Sequence, residues 1–208
     1  MKVLGIIPAR GGSKRLPRKN IADLGGKPLL MWTLDTAIAS EVFDELWVSS
    51  EDPEIGELAG KHWWKRPQEL ARDDTPTMDV LENILEHKKA DIVVTLQVTS
   101  PFRTVDDIKN ALELLKNTNA DSVISVTDGP RDLAFHMRFA NRLQGLPPIV
   151  VCNGAIYIIT NSALERGLDW YNGFAYGYKM PKERSLDIDN GTDLEIARHL
   201  VASGLYKD

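Results

Sequence analysis

Two kinds of apolar spacing alternate along the chain. Short, nearly unbroken apolar runs occupy Val3 to Ala9, Phe43 to Ser49, Ile92 to Leu96 and Asp121 to Thr127. Their length and continuity predict strands buried on both faces. Gly154 to Ile159 predicts a further strand. Between these runs the period changes to that of a helix. Pro28 to Ser40 carries Leu30, Leu34, Ala37 and Ile38 on one side, and Thr77 to Lys88 carries Val80, Leu81, Ile84 and Leu85. Thr104 and Asp107 have capping-box spacing before a stripe of Val105, Ile108, Ala111, Leu112 and Leu115. Thr192-x-x-Glu195 has the same spacing before Leu194, Ala197, Leu200 and Val201, so it is expected to cap a last helix. Repeated strand-helix-strand units predict an α/β fold, with a mostly parallel twisted sheet and helices on both faces.

The pattern loosens over 128–150, where Gly129, Pro130, Gly145, Pro147 and Pro148 gather. That stretch is expected to leave the core as a protruding arm. No repeat or linker divides the remaining chain, and 208 residues suit a single domain spanning 1–208. Composition is 43% hydrophobic and 26% charged, which excludes wholesale disorder. The net charge of −5 argues against a general nucleic-acid binder. No apolar run reaches the roughly 18–20 residues of a membrane span. Met1 to Pro8 is too short for a secretory signal, lacks a small-residue cleavage site after it, and reads as a buried first strand. The single cysteine, Cys152, excludes an intrachain disulfide. It is read as a small apolar residue at a strand end in a protein of the reducing cytoplasm.

The densest chemical signal is Ala9-Arg10-Gly11-Gly12-Ser13-Lys14-Arg15-Leu16-Pro17-Arg18-Lys19-Asn20. Five cations fall within ten residues of an otherwise acidic chain. Paired glycines directly after a strand allow tight turns and close backbone approach to a ligand. Open parallel sheets bind ligands beyond the carboxyl ends of their strands. A triphosphate there needs backbone N–H groups and several cations, and this loop offers both. The spacing matches neither GxGxxG nor the P-loop.

Ser185-Leu186-Asp187-Ile188-Asp189-Asn190-Gly191 is the second signal. In an extended segment, Asp187 and Asp189 project together while Ile188 faces the core. Neighbouring carboxylates repel unless a cation lies beside them. Mg²⁺ suits such a pair, because it takes one or two carboxylates together with substrate phosphates and water. The histidines His62, His87, His136 and His199 have no zinc spacing. No GxSxG elbow or Cys-His constellation is present. Trp63 and Trp64 read as core or interface residues.

These motifs, taken in order, resemble those of the acylneuraminate cytidylyltransferases, also called CMP-sialic acid synthetases. The opening signature is Ile6-Ile7-Pro8-Ala9-Arg10-Gly11-Gly12-Ser13-Lys14 with Leu16-Pro17-Arg18-Lys19-Asn20. Arg66-Pro67-Gln68-Glu69-Leu70-Ala71 with Thr77 is similar to a second block. Leu96-Gln97-Val98-Thr99-Ser100-Pro101-Phe102-Arg103 resembles LQPTSPLR. Asn153-Gly154-Ala155-Ile156-Tyr157 and Ser185-Leu186-Asp187-Ile188-Asp189 complete the series. The RKN sequence after Leu16-Pro17 differs from the STRLPGKP of the branch that uses eight-carbon sugar acids.

The resemblance implies a Rossmann-like nucleotidyltransferase fold, a homodimer joined through the arm, and CMP transfer from CTP to a sialic-acid-like nonulosonic acid with Mg²⁺. A legionaminic, pseudaminic, KDN or KDO type of acid, or an inactive nucleotide-binding regulator, are the alternatives. By this resemblance Arg10, Gly11, Gly12, Ser13, Lys14 and Lys19 hold the triphosphate, and Asn20, Arg66 and Thr77 surround the nucleoside. Gln97, Thr99, Ser100 and Tyr157 face the sugar, with Trp170 and Tyr171 as an aromatic pair on its acyl side. Asp187 and Asp189 hold the metal, and with Arg10 and Lys19 they form the catalytic set. Relatives usually have arginine and proline where this chain has Val151 and Cys152. The arm is also shorter, with Arg131 a basic residue that could reach a partner's site.

Overall fold

The computed structural model describes residues 1–129 and 149–206. β1 is Val3–Pro8, and a small hairpin of β2 (Asp23–Leu24) and β3 (Lys27–Pro28) leads into α1 (Leu29–Ser40). β4 (Glu45–Ser50), α2 (Pro53–Ala59), β5 (Trp63–Lys65) and α3 (Thr77–Leu85) follow. Next come β6 (Ile92–Leu96), α4 (Val105–Lys116), β7 (Ser122–Asp128) and β8 (Val150–Thr160). The chain closes with α5 (Asn161–Glu165), β9 (Ala175–Lys179) and α6 (Gly191–Ala202).

Among the described residues, seven strands form one sheet in the order β5-β4-β1-β6-β8-β7-β9. β5, β4, β1 and β6 run parallel, as β7 and β9 do. β8 is inserted antiparallel to both neighbours. Both faces are covered, as the continuous apolar runs require. Val3, Ile7, Val48, Ile92 and Val94 pack toward α1, α2, α4 and α6, while Leu4, Ile6, Val93 and Ile159 pack toward α3 and α5.

Several boundaries move for identifiable reasons. The Asp44 carboxylate accepts from the Val3 amide at 2.6 Å, so the second strand begins at Glu45 rather than Phe43. Asp121 is similarly diverted. Its carboxylate accepts from the Phe174 amide and the Arg166 guanidinium, and β7 begins one residue later. The last helix is capped by Asn190 and Asp193, not by Thr192 and Glu195. Asn190 Oδ1 accepts from the amides of Thr192 and Asp193, and asparagine competes well with threonine at this position. At Thr104 the expected box with Asp107 is present. Ile38 is exposed, outside the buried face that Leu30, Leu34 and Ala37 share. Cys152 lies near the start of β8, as its reading at a strand end expects, but it is exposed rather than packed as a small apolar residue.

Most of the expected arm, including Arg131, lies outside the described residues. β7 and β8 are still paired at Asp128 and Val150, next to the last described residues on either side. No helix among the described residues is long and apolar enough to cross a membrane.

Candidate active site

The carboxyl ends of β1, β5 and β6 open on a cleft of about 530 Å³. One wall is the loop after β1, and its shape is fixed by backbone capture. The Ala9 amide donates to the Ser49 carbonyl and the Gly11 amide to Glu51 Oε1 at 2.8 Å. Asn20 Nδ2 returns to the Arg10 carbonyl at 2.9 Å. A side chain at Gly11 would run into Asp52, with its Cβ 2.8 Å from the aspartate's Cβ, so glycine is required there. Arg18, at φ 59°, pairs with Asp52 and Glu54 at the outer end of the loop.

The other cations of the loop turn toward the cleft, and each meets a carboxylate. Arg10 Nη1 is 2.6 Å from Asp73 Oδ1, and Lys14 pairs with the other oxygen of Asp73. Arg15 Nη1 and Lys19 Nζ lie 2.9 and 3.2 Å from the two oxygens of Asp189. Gly12, Ser13 and Asn20 line the same wall. Arg66 is buried at the back, where it donates to Ser49 Oγ and to the Ser49 carbonyl at 3.1 and 2.7 Å. Burial draws its guanidinium down to about 10, still charged at neutral pH. Thr77 and Val80 of α3, with Thr75 and Arg72, line the facing side.

Gln97, Val98 and Thr99 follow β6 and form the floor. Arg103, buried behind them, donates to the carbonyls of Gln97 and Ala155 and to Thr33 Oγ1. It thus fixes the end of β6 against β8 and α1. The Ile188 amide donates to the Thr99 carbonyl at 2.8 Å, which docks the Asp187–Asp189 segment onto this floor. Ile188 is fully buried, as its alternation with the aspartates predicts. The segment belongs to no strand. Burial and the neighbouring charge of Asp189 push the Asp187 carboxyl above its ordinary range, against a stabilising hydrogen bond from Thr99. Two hard carboxylates that repel across one residue fit a divalent cation such as Mg²⁺.

The expected sugar-facing residues divide into two groups. Gln97 and Thr99 line the cleft, whereas Ser100 is buried with its hydroxyl 3.3 Å from the Asn153 carbonyl. Tyr157, Trp170 and Tyr171 form a separate aromatic cluster on the β8 side, outside that cleft. The Tyr157 ring lies 5.0 Å from Trp170 and 6.4 Å from Tyr171. Burial, aided by a hydrogen bond with Tyr171, pushes the Tyr157 hydroxyl upward. Trp170 is buried, with Nε1 lacking a partner among the described residues, and Tyr171 is exposed. Gly154, at φ +76°, leads from this cluster back toward the aspartates. A Cβ there would lie 3.5 Å from Asp187 Oδ2.

Sequence reasoning did not single out Asp73, Arg72, Thr75 or Glu51. A basic loop facing a second strand-to-helix crossover needs acidic partners, and Arg72-Asp73-Asp74 and Glu51-Asp52 were the available signals.

The cytidylyltransferase family profile matches residues 4–138. The chain belongs to the cytidylyltransferase family. It is 34% identical to the N-acylneuraminate cytidylyltransferase of Streptococcus agalactiae serotype III, strain NEM316, over 96% of this chain and 54% of that protein. The chain therefore spans about half the length of that curated relative. It is 33% identical to the pseudaminic acid cytidylyltransferase of Campylobacter jejuni serotype O:2, over 96% of each. Among solved structures, CMP:2-keto-3-deoxy-manno-octonic acid synthetase complexed with CTP superposes with a TM-score of 0.81 at 18% identity. That match covers 98% of this chain and all of the other. It supports the family's nucleotidyltransferase fold.

Proposed function

We propose that the protein transfers CMP from CTP to the anomeric hydroxyl of a sialic-acid-like nonulosonic acid and releases pyrophosphate. The observation that carries this reading is the convergence of four loop cations and Asp189 on one strand-end cleft, with Asp187 two residues away on the same segment docked at Thr99. Relatives that act on N-acylneuraminate and on pseudaminic acid, by their names, support a nine-carbon acid as acceptor.

The reaction forms a bond from the anomeric oxygen to the α-phosphorus of CTP and breaks the bond to the β-phosphate. It needs placement and charge neutralisation more than a covalent nucleophile. Gly12, Ser13 and the cations Arg10, Lys14 and Lys19 cradle the polyphosphate. Arg10 and Lys19 stabilise the departing pyrophosphate. Asn20, Arg66 and Thr77 surround the nucleoside, and Gln97, Thr99 and Tyr157 face the sugar. Asp187, directly or through a water, takes the proton of the attacking hydroxyl. Asp187 and Asp189 would hold Mg²⁺, which when bound neutralises phosphate charge. We assign the enzyme to the cytoplasm, in keeping with its single free thiol, and to a homodimer.

The test is pyrophosphate release from CTP over a panel of nonulosonic acids, with Mg²⁺ and with chelator. Release should require CTP, one of the acids and the metal. UTP should be at least about tenfold poorer, since a site built for the cytosine amino group leaves a polar mismatch with uracil. CTP binding without release for any acid would instead identify a nucleotide-binding regulator.

A further inference from the structure

The Arg10–Asp73–Lys14 triad lies where the proposed function seats a polyphosphate, yet that reaction has no use for Asp73. We propose that Asp73 is an internal competitor for the pyrophosphate seat, and that it sets how tightly the cleft holds CTP and how readily pyrophosphate leaves. This rests on the reading above.

Like Asp189 with Arg15 and Lys19, Asp73 spans two inward cations, Arg10 and Lys14, with its two oxygens, as one phosphate group would. Two further features set Asp73 apart from the other carboxylates around the loop. It lines the 530 Å³ cleft and also an adjoining cavity of about 760 Å³, and so stands between the nucleotide's seat and the open side. It hangs from a partly exposed segment after a 3-10 turn at Gln68–Ala71. Asp52, by contrast, is tied down as the cap of α2, where it accepts from the amides of Glu54 and Ile55. Glu51 holds the Gly11 amide and, among the described residues, forms no ion pair with the loop.

An incoming polyphosphate must displace Asp73 to reach Arg10 and Lys14, which lowers the apparent affinity by the fraction of sites already open. Once the bond to the β-phosphate breaks, the carboxylate is at hand to take the cations back. Lys14 and Asp73 are exposed enough that each pair is weak, so the competition amounts to roughly three- to tenfold. The opposing role is a buttress, in which Asp73 holds Arg10 and Lys14 in position for phosphate. Removing a competitor tightens binding and removing a buttress weakens it, so the sign decides.

The experiment measures Kd for inorganic pyrophosphate and for CTP by calorimetry, without sugar, on the whole chain carrying Asp73→Asn. Asp73→Ala provides a second charge-removing variant, and Tm verifies the fold of each. Both ligands should bind three- to tenfold tighter to both variants, and pyrophosphate should become a stronger product inhibitor. Asp73→Glu, which keeps the charge, should stay within about twofold of wild type. Unchanged or weaker binding in the folded charge-removing variants overturns the proposal and leaves the proposed function standing. Wild-type protein that binds neither CTP nor pyrophosphate overturns both.

Discussion

Opposite edges of the parallel strands carry nearly the same cluster, one carboxylate held between two cations. At the amino edge, Glu45 accepts from Lys2 at 2.7 Å and Lys88 at 2.8 Å. At the carboxyl edge, Asp189 accepts from Arg15 and Lys19, and Asp73 from Arg10 and Lys14. The surroundings differ. Glu45 also accepts from Trp47 Nε1 at 3.1 Å, and Lys88 lies 4.7 Å over the Trp47 ring. Its side chain is 23% exposed, against 43% and 39% for Asp189 and Asp73, both of which line a cleft wide enough for a ligand. Neither charge nor pairing marks the functional edge. Room for another anion or cation to exchange into the pairs does.

If that distinction is correct, damage at the cleft should be catalytic and leave stability nearly untouched. Asp187→Asn and Asp189→Asn should each lose roughly 10²–10³-fold in turnover, the usual scale for a lost transition-state contact. Each should keep the wild-type Tm within a few degrees. Pyrophosphate release at saturating CTP, together with a thermal melt, checks both halves. Activity lost only in proportion to stability would erase the contrast between the edges.

The contrast sharpens within the loop itself. Arg10 leaves β1 directly, and its side chain is 32% exposed, whereas Arg15 is 73% exposed. Arg10→Ala should lower kcat/KM for CTP by about tenfold or more beyond the loss in Arg15→Ala, because a fixed, partly buried guanidinium exceeds a solvated one in worth. Equal small losses would mean that the loop acts as a diffuse positive field rather than a cradle.

Which parts of this site were legible beforehand follows from the range of the forces that build it. The loop after β1 and the Asp187–Asp189 alternation are local patterns, one written in glycines and cations and the other in a period of two. The Thr104–Asp107 cap is local as well. The last cap was misplaced by two residues because Asn190 and Thr192 both have an acidic residue three positions later, and only packing chooses between them. Asp73 left no periodic trace, since its partners lie some sixty residues away in sequence and across the cleft in space. The spacing that placed Trp170 beside the sugar could not reveal that its ring lies buried against Tyr157. Exposure of Cys152 and Ile38 depends on which elements cover them, and the apolar pattern along one segment does not contain that.

The smallest effect expected is at the amino edge, and it falls on stability rather than on catalysis. Lys2 and Lys88 draw the Glu45 carboxyl from an ordinary 4.5 down to about 2. A pKa lowered by folding stabilises the protein fully above the unfolded value, and that contribution disappears as pH falls through the folded one. The cluster should therefore contribute its whole share above about pH 5, lose it progressively between about pH 4.5 and 2, and contribute nothing below. Discounted for its partial exposure, the share is about 1–2 kcal/mol. Glu45→Gln should accordingly lower Tm at pH 7 by roughly 3–6 °C. It should also flatten the acid limb of stability against pH and leave kcat/KM for CTP unchanged. Melts of the two proteins from pH 7 to pH 2 should converge at the acid end. Curves that stay parallel throughout would show that the two lysines hold Glu45 no more tightly in the folded chain than in the unfolded one.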